Sequence, residues 1–449
     1  MAFQQGLSGL NTASKALDVI GNNVANSSTV GFKQANAHFA DVYAASLGVG
    51  GASQVGIGTN LAAIVQQFTQ GNITTTNNTL DVAINGNGFF RMSSNGTISY
   101  SRNGQFHLDN SGYIVNDQGS RLTGYPAGVD GVIRPQTPTE LQLTPDLLKL
   151  DPVATGASVG SEYAGVQASV NLKANSETTV WSPPAAAGVP SISPDTYNYS
   201  TALSIYDSLG AAHTLTLYFV KETATGSWSM YGNVDGTAML NAGNTLNMTT
   251  GIPIQFDTNG QVSSFNGDTA TPFEMAVTFD MDGVVADLQS VDPTVPDNGA
   301  SSTLSFNLNL TGTTQYGDKN ATNRLLQDGY SSGSLSGLSI GTDGVIKGNY
   351  SNGETRNIGQ MVLANFDNPN GLQSIGGNQW VETATSGQPT VDAPGSGRLG
   401  LVQSNALEDS NVDLTSELVN MITQQRNYQA NSQTIKTQDQ IMQTIVNLR

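Results

Sequence analysis

Apolar residues recur every seven positions at both ends of the chain, and every two positions between them. From Asp413 to Arg449 there is neither Pro nor Gly. Leu414, Met421, Tyr428, Ile435 and Met442 fall on one heptad line there, with Leu418, Gln425, Ser432, Asp439 and Val446 on the next. The first line is apolar throughout; the second is polar in its middle. The pattern predicts one amphipathic helix of roughly 35 residues, about 50 Å long. At the other terminus Phe3, Leu10, Leu17 and Val24 repeat at the same interval, with Leu7, Ala13 and Ile20 beside them. Two such seams imply helices that lie together as a coiled-coil-like pair, and periodicity alone leaves open whether the partner is in the same molecule or a neighbour.

The first helix is expected to stop in the turn formers Asn22, Asn23, Asn26, Ser27, Ser28 and Gly31. Small polar text follows over 31–78 and reads as an extended linker, matched by a second linker over 398–411 that follows a Gly/Pro-rich return near Pro394 to Gly400. From Leu80 the alternation of Leu80, Val82 and Ile84, then Phe89 to Met92, predicts short strands, with Asn95-Gly96 and Asn103-Gly104 as hairpin turns. The same style returns at Asp343-Gly344, Asn352-Gly353 and Gln360 to Ala364. This suggests one core β domain, 79–150 and 328–397, interrupted by an inserted outer β domain, 151–327. The insertion's expected strands include Thr201–Tyr206, Leu215–Val220, Trp228–Tyr231, Met275–Phe279 and the alternating Leu304, Phe306, Leu308 and Leu310. The fold class is therefore mainly β with terminal α-helical segments, in discontinuous nested domains. The helical assembly domain comprises 1–30 and 412–449.

Charge sharpens the division. The formal net charge is -18, yet residues 1–30 hold only Lys15 and Asp18. Residues 412–449 balance Asp413, Glu417 and Asp439 against Arg426, Lys436 and Arg449. Both ends are neutral, while the insertion carries 16 acidic side chains against 4 basic. Neutral helices pack against copies of themselves without like-charge repulsion, and an acidic middle stays in water. Assembly through the ends is the expected arrangement.

Several chemistries are disfavoured. An acidic chain with a pI of about 4.3 is a poor nucleic-acid binder, since phosphate contacts need a Lys/Arg surface. There is no cysteine, hence no disulfide or thiolate. Met1 to Leu10 lack the basic and apolar regions of a signal peptide, and no run approaches the roughly 18 apolar residues of a membrane span. His38, His107 and His213 stand far apart, without metal-ligand or triad spacing. The glycines of 48–58 are not followed by the Lys-Ser/Thr of a phosphate loop. Asp280-Met281-Asp282-Gly283 lacks the rest of a calcium loop and reads as a turn between strands. No catalytic residue, cofactor or metal site is expected, and the protein is not read as an enzyme.

Four stretches carry a family resemblance. Ser8 to Lys33, SGLNTASKALDVIGNNVANSSTVGFK, resembles the opening motif of the hook proteins of the bacterial flagellar axial family, which includes rod, hook and hook-associated proteins. Leu80 to Phe90, Tyr100 to Asn116 and Leu122 to Pro126 are similar to that family's core β domain, and Gly348 to Pro369 to its returning half. Ala406 to Arg449 resembles its closing helix. Thr29-Val30-Gly31 departs from rod relatives, which commonly carry Pro before Gly, and the large insertion also tilts the reading to hook.

The resemblance implies an extracellular structural subunit, exported by the flagellar type III apparatus without a cleaved signal peptide. Its copies would stack helically into a curved, flexible tube. Its implied partners are further copies of itself, the rod protein, the hook-filament junction protein, the hook cap and the hook-length control protein. Gln425, Ser432 and Asp439 are expected to face the tube's channel or a wet interface. The alternatives are a distal rod or other axial protein and, from a different class, a secreted β-rich adhesin displaying Trp181, Trp228 and Trp380.

Overall fold

The computed structural model describes residues 2–42, 56, 58–128, 131–158, 164–240 and 243–447. The glycine-rich run 48–58 lies outside the described residues except for Gly56 and Gly58. The chain divides into two compact units. The first comprises 1–144, 337–348 and 356–449; the second comprises 145–336 and 349–355.

In the first unit, helix α1 (Ala2–Ala25) packs against α4 (Leu414–Asn447). Asp413 starts α4 by accepting hydrogen bonds from the backbone N–H groups of Thr415 (2.9 Å) and Ser416 (3.2 Å), the usual role of a capping carboxylate. The segment 31–78, expected to be a linker, contains three strands. β1 (Ala35–Val42) and β2 (Gly58–Gln66) form an antiparallel ribbon, with an irregularity between His38 and Phe39, and the ribbon packs on α1. β3 (Ile73–Thr75) pairs with Ala406–Glu408, and β4 (Val82–Asn85) pairs with Leu401–Ser404. Chain entering the β region thus lies beside chain leaving it.

β5 (Phe89–Ser94) and β6 (Thr97–Ser101) meet at Asn95-Gly96, both at positive φ (50° and 84°), as a tight hairpin turn requires. Around this hairpin, Phe89 packs edge-on against Phe68, Phe366 and Trp380 with ring centroids 5.4–6.1 Å apart. Trp380 Nε1 donates to Gln66 Oε1 at 2.7 Å, which ties the end of β2 to this core.

The second unit opens with a single helical turn, α2 (Pro145–Leu148), and is built from two sheets. Tyr199–Tyr206, Ala212–Lys221, Ser227–Val234, Ile252–Phe256 and Val262–Phe265 follow one another as an antiparallel meander. The other sheet runs in the order Glu274–Asp280, Thr303–Asn309, Val166–Asn171, Ala321–Gln327. Leu304, Phe306 and Leu308 alternate inward, and with Leu217, Phe219, Trp228 and Phe279 they belong to one apolar cluster.

Two sequence readings change here. Asp280 is not in a turn between strands: it caps helix α3 (Met281–Gln289), accepting from Gly283 N at 3.1 Å, because a short acidic side chain satisfies a free helix N–H. Trp228 and Trp380 are buried in their cores, and Trp181 is only half-buried, stacked on Tyr231. The aromatic display invoked for an adhesin is therefore absent at Trp228 and Trp380.

Candidate assembly surface

α1 and α4 run antiparallel: Gly6 lies against Ile435, Gly9 against Asn431, and Asn23 reaches Glu417. The α1 face turned inward is made of small side chains. Gly6, Ala13, Ala16 and Val19 are buried, and a Cβ on Gly9 would stand 2.8 Å from the Asn431 amide oxygen. On α4 the least exposed positions are Glu417, Met421, Gln424, Asn431, Ser432, Ile435 and Gln438. A line of glycine and alanine lets two backbones approach closely, and this closeness sets the phase of the pair.

The heptad residues consequently divide. Met421 and Ile435 are half-buried on the inner face of α4, and Leu10, Leu17, Ile20 and Val24 are half-buried along α1. Phe3 (51% exposed) and Leu7 (44%) face out, as do Leu414, Leu418, Tyr428 and Met442. Val446 lies in the last turn of α4, and its side chain is outside the described residues. Of the polar line, Gln425 and Asp439 are exposed and Ser432 is half-buried. With this register α1 begins opposite about residue 438, so the last two turns of α4 or so, with Ile441 and Met442 exposed, extend past it.

Below the helices lies a polar anchor that periodicity did not reveal. Lys33 Nζ sits 2.6 Å from Glu408 Oε1 and donates to Thr69 O at 2.8 Å. Arg102 reaches the other Glu408 oxygen at 3.0 Å and Gly86 O at 2.8 Å. The backbone N–H of Gly71 also donates to Glu408 (2.8 Å). All three charged side chains are buried. Burial pushes the Lys33 ammonium and the Arg102 guanidinium below their ordinary values, against the pull of Glu408 in each case.

A second knot forms at the foot of α4. Glu417 accepts from Gln34 Nε2 (2.6 Å) and Asn23 Nδ2 (3.5 Å), and Asn411 Oδ1 accepts from Gln34 N (2.7 Å). The available sequence signal was partial: Lys33 and Arg102 are single charges in turn-rich or apolar text, in a chain only 12% charged, whereas Glu408 stands beside Asp409 and is not set apart.

Comparison with known proteins connects these knots to a family. Residues 3–33 match the flagella basal body rod protein model, and 83–161 match the flagellar hook protein FlgE/F/G D1 domain. Residues 171–330 match the flagellar basal body protein FlaE D2 domain, and 403–448 match the flagellar basal body rod FlgEFG protein C-terminal model. Over its whole length the chain is 40% identical to the flagellar hook protein FlgE of Escherichia coli strain K12, across 454 aligned residues and 100% of both chains. It is 41% identical to that of Salmonella typhimurium strain LT2, again over 100% of both.

The chain belongs to the flagellar hook protein FlgE family. The FlgE of Borreliella burgdorferi, at 32% identity, covers 100% of this chain and 99% of its own. Full-length agreement with hook proteins favours the hook reading over the distal rod and adhesin alternatives, and this is a family of structural proteins. In this chain the anchor collects one charged residue from each of three matched segments: Lys33, Arg102 and Glu408.

Proposed function

We propose that this chain is the structural subunit of the bacterial flagellar hook, polymerising helically into a curved, flexible tube that joins the basal-body rod to the filament. The observation that carries the reading is the surface the helix pair leaves uncovered. Phe3, Leu7, Leu418 and Ile422 are exposed on helices that are nearly neutral overall. Apolar surface without repelling charge is what a neighbouring copy can cover.

On this reading the helices form the innermost layer. Gln425, Ser432 and Asp439 supply a wet line on the channel or at a subunit boundary, where a passing unfolded chain does not adhere. The acidic insertion forms the outer layer, whose polar contacts exchange at low cost as the tube bends. Export proceeds through the type III apparatus without signal cleavage. The end partners are the rod protein and the hook-filament junction protein, with the hook cap and length-control protein acting during growth.

Electron microscopy of the full chain driven to assemble, beside a truncation lacking 1–30 and 412–449, tests this. Curved tubes from the full chain and none from the truncation are expected. Straight tubes would indicate a rod-like role, and a folded full chain that forms no ordered polymer would overturn the proposal.

A further inference from the structure

His213 opens the strand Ala212–Lys221 of the second unit, and both its ring nitrogens face carboxylates. Nδ1 is 2.7 Å from Asp235 Oδ2, at the turn that follows Ser227–Val234. Nε2 is buried, without a hydrogen-bond partner among the described residues, and 3.6 Å from Asp207 Oδ2 in the turn after Tyr199–Tyr206. The two acids are already held in place by other bonds. Asp235 Oδ1 accepts from Thr214 N at 2.7 Å, and Asp207 Oδ1 accepts from Leu209 N (2.9 Å) and Ala211 N (2.8 Å). Asp207 Oδ2 also accepts from Asn298 Nδ2 at 2.6 Å, and Ser301 N donates to Ser208 Oγ at 2.7 Å. These last bonds fasten the segment between α3 and Thr303–Asn309, in the four-stranded sheet, to a turn of the five-stranded sheet.

A neutral imidazole has one N–H and one lone pair, so it can serve only one of these acids and must present its lone pair to the other. An imidazolium donates to both. Asp207 is almost wholly buried, with 2% of its side chain exposed, so a facing cation also offsets its desolvation. We propose that His213 is a proton-operated clasp: when charged it locks the 207–211 and 235–236 turns together, and through Asp207 and Asn298 it holds the two sheets of this unit to one another. The charged groups that reach the ring are Asp235 and Asp207, and the 297–301 loop contributes Asn298.

The electrostatics agree in direction. The bond with Asp235 raises the His213 pKa above the ordinary 6.5, burial opposes this, and the charge of Asp235 and the contact with Asp207 add to the rise. Burial pushes Asp207 up, but its bonds from Asn298 and the Ala211 and Leu209 backbone more than offset this, so it stays ionised well into acid. Because the folded state holds the proton more tightly than the unfolded chain, the clasp's stabilisation is complete below pH about 6.5 and is lost as pH rises through the higher folded value.

The test uses the full chain. His213 is titrated by NMR, its ring signals identified by comparison with His213→Gln, and amide hydrogen exchange is followed at 207–211, 235–236 and 297–301 in both proteins at pH 5.5 and 8.5. His213 should titrate above 6.5. After correction for intrinsic rates, exchange in these segments should be slower in acid by about tenfold for each unit of that rise, and His213→Gln should lose the difference. Titration at or below 6.5 in the wild-type chain overturns the clasp whether or not the variant folds. The same pH dependence in both proteins also overturns it.

Discussion

Lys33 Nζ and Glu408 Oε1 stand 2.6 Å apart with both side chains wholly buried, although 375 residues separate them in the chain. The contact joins the end of the α1 segment to the strand that leads back to α4. Arg102, from the β core, closes the triad on the second oxygen of the same carboxylate. Glu408 therefore compensates two buried cations, while each cation also leans on a backbone carbonyl. The asymmetry predicts which member matters most.

Glu408→Gln should be the most damaging of the conservative changes in this triad. It leaves Lys33 and Arg102 buried beside each other with no anion, and removing one partner of a buried pair costs about 3–5 kcal/mol. Lys33→Met should cost less, because Glu408 keeps Arg102 and the Gly71 N–H. Urea unfolding of the two variants beside wild type, followed by circular dichroism, ranks them. Equal losses would count against this account of the anchor.

Gly9→Leu should separate the terminal helices. A Cβ alone would meet the Asn431 amide at 2.8 Å, and overpacking of this kind typically costs about 1–3 kcal/mol. Hydrogen exchange across 2–25 and 414–440 should rise, while the second unit keeps wild-type protection. Unchanged exchange in α1 would mean that the glycine line does not set the approach.

The extent of α4, the alternating strands of the second unit and the turn at Asn95-Gly96 were legible because period and turn chemistry are local properties. The face of the helix pair was not. A heptad reading puts large apolar residues inside, whereas Gly6, Gly9, Ala13 and Ala16 win the contact by allowing close approach, and Phe3 and Leu7 turn out. β1 and β2 were missed because Gly/Ala-rich text carries little alternation and their pairing partner lies across a long gap. The anchor was invisible for a similar reason. A lone Lys in GFK and one of two adjacent acids in ALED gain meaning only when the fold brings them together.

Replacing Gln425, Ser432 and Asp439 together with Leu bears on the wet line. Gln425 and Asp439 are exposed, so folding of the single chain should change by only a few tenths of a kcal/mol at those two sites, and Ser432, half-buried, sets the upper limit of any loss. The expected phenotype is hooks that form but support slower or shorter filament growth. Normal filament length on variant hooks would remove these residues from any role in passage.

Leu418→Ser with Ile422→Ser separates assembly from folding. The two side chains lie one helical turn apart on α4 and are 44% and 52% exposed, and neither is among the least exposed positions of the face that meets α1. Removing exposed apolar groups has little effect on the monomer, about 0.5 kcal/mol or less in either direction. If a neighbouring copy covers them, each leucine- or isoleucine-sized burial is worth about 1.5–3 kcal/mol per contact, and a helical polymer repeats that loss at every subunit. The double variant should therefore show wild-type urea unfolding while failing to form tubes at concentrations where wild type assembles, as seen by sedimentation and electron microscopy. Tubes at the wild-type critical concentration would place the subunit contact elsewhere, with Phe3 and Leu7 of α1 among the other exposed apolar positions to test.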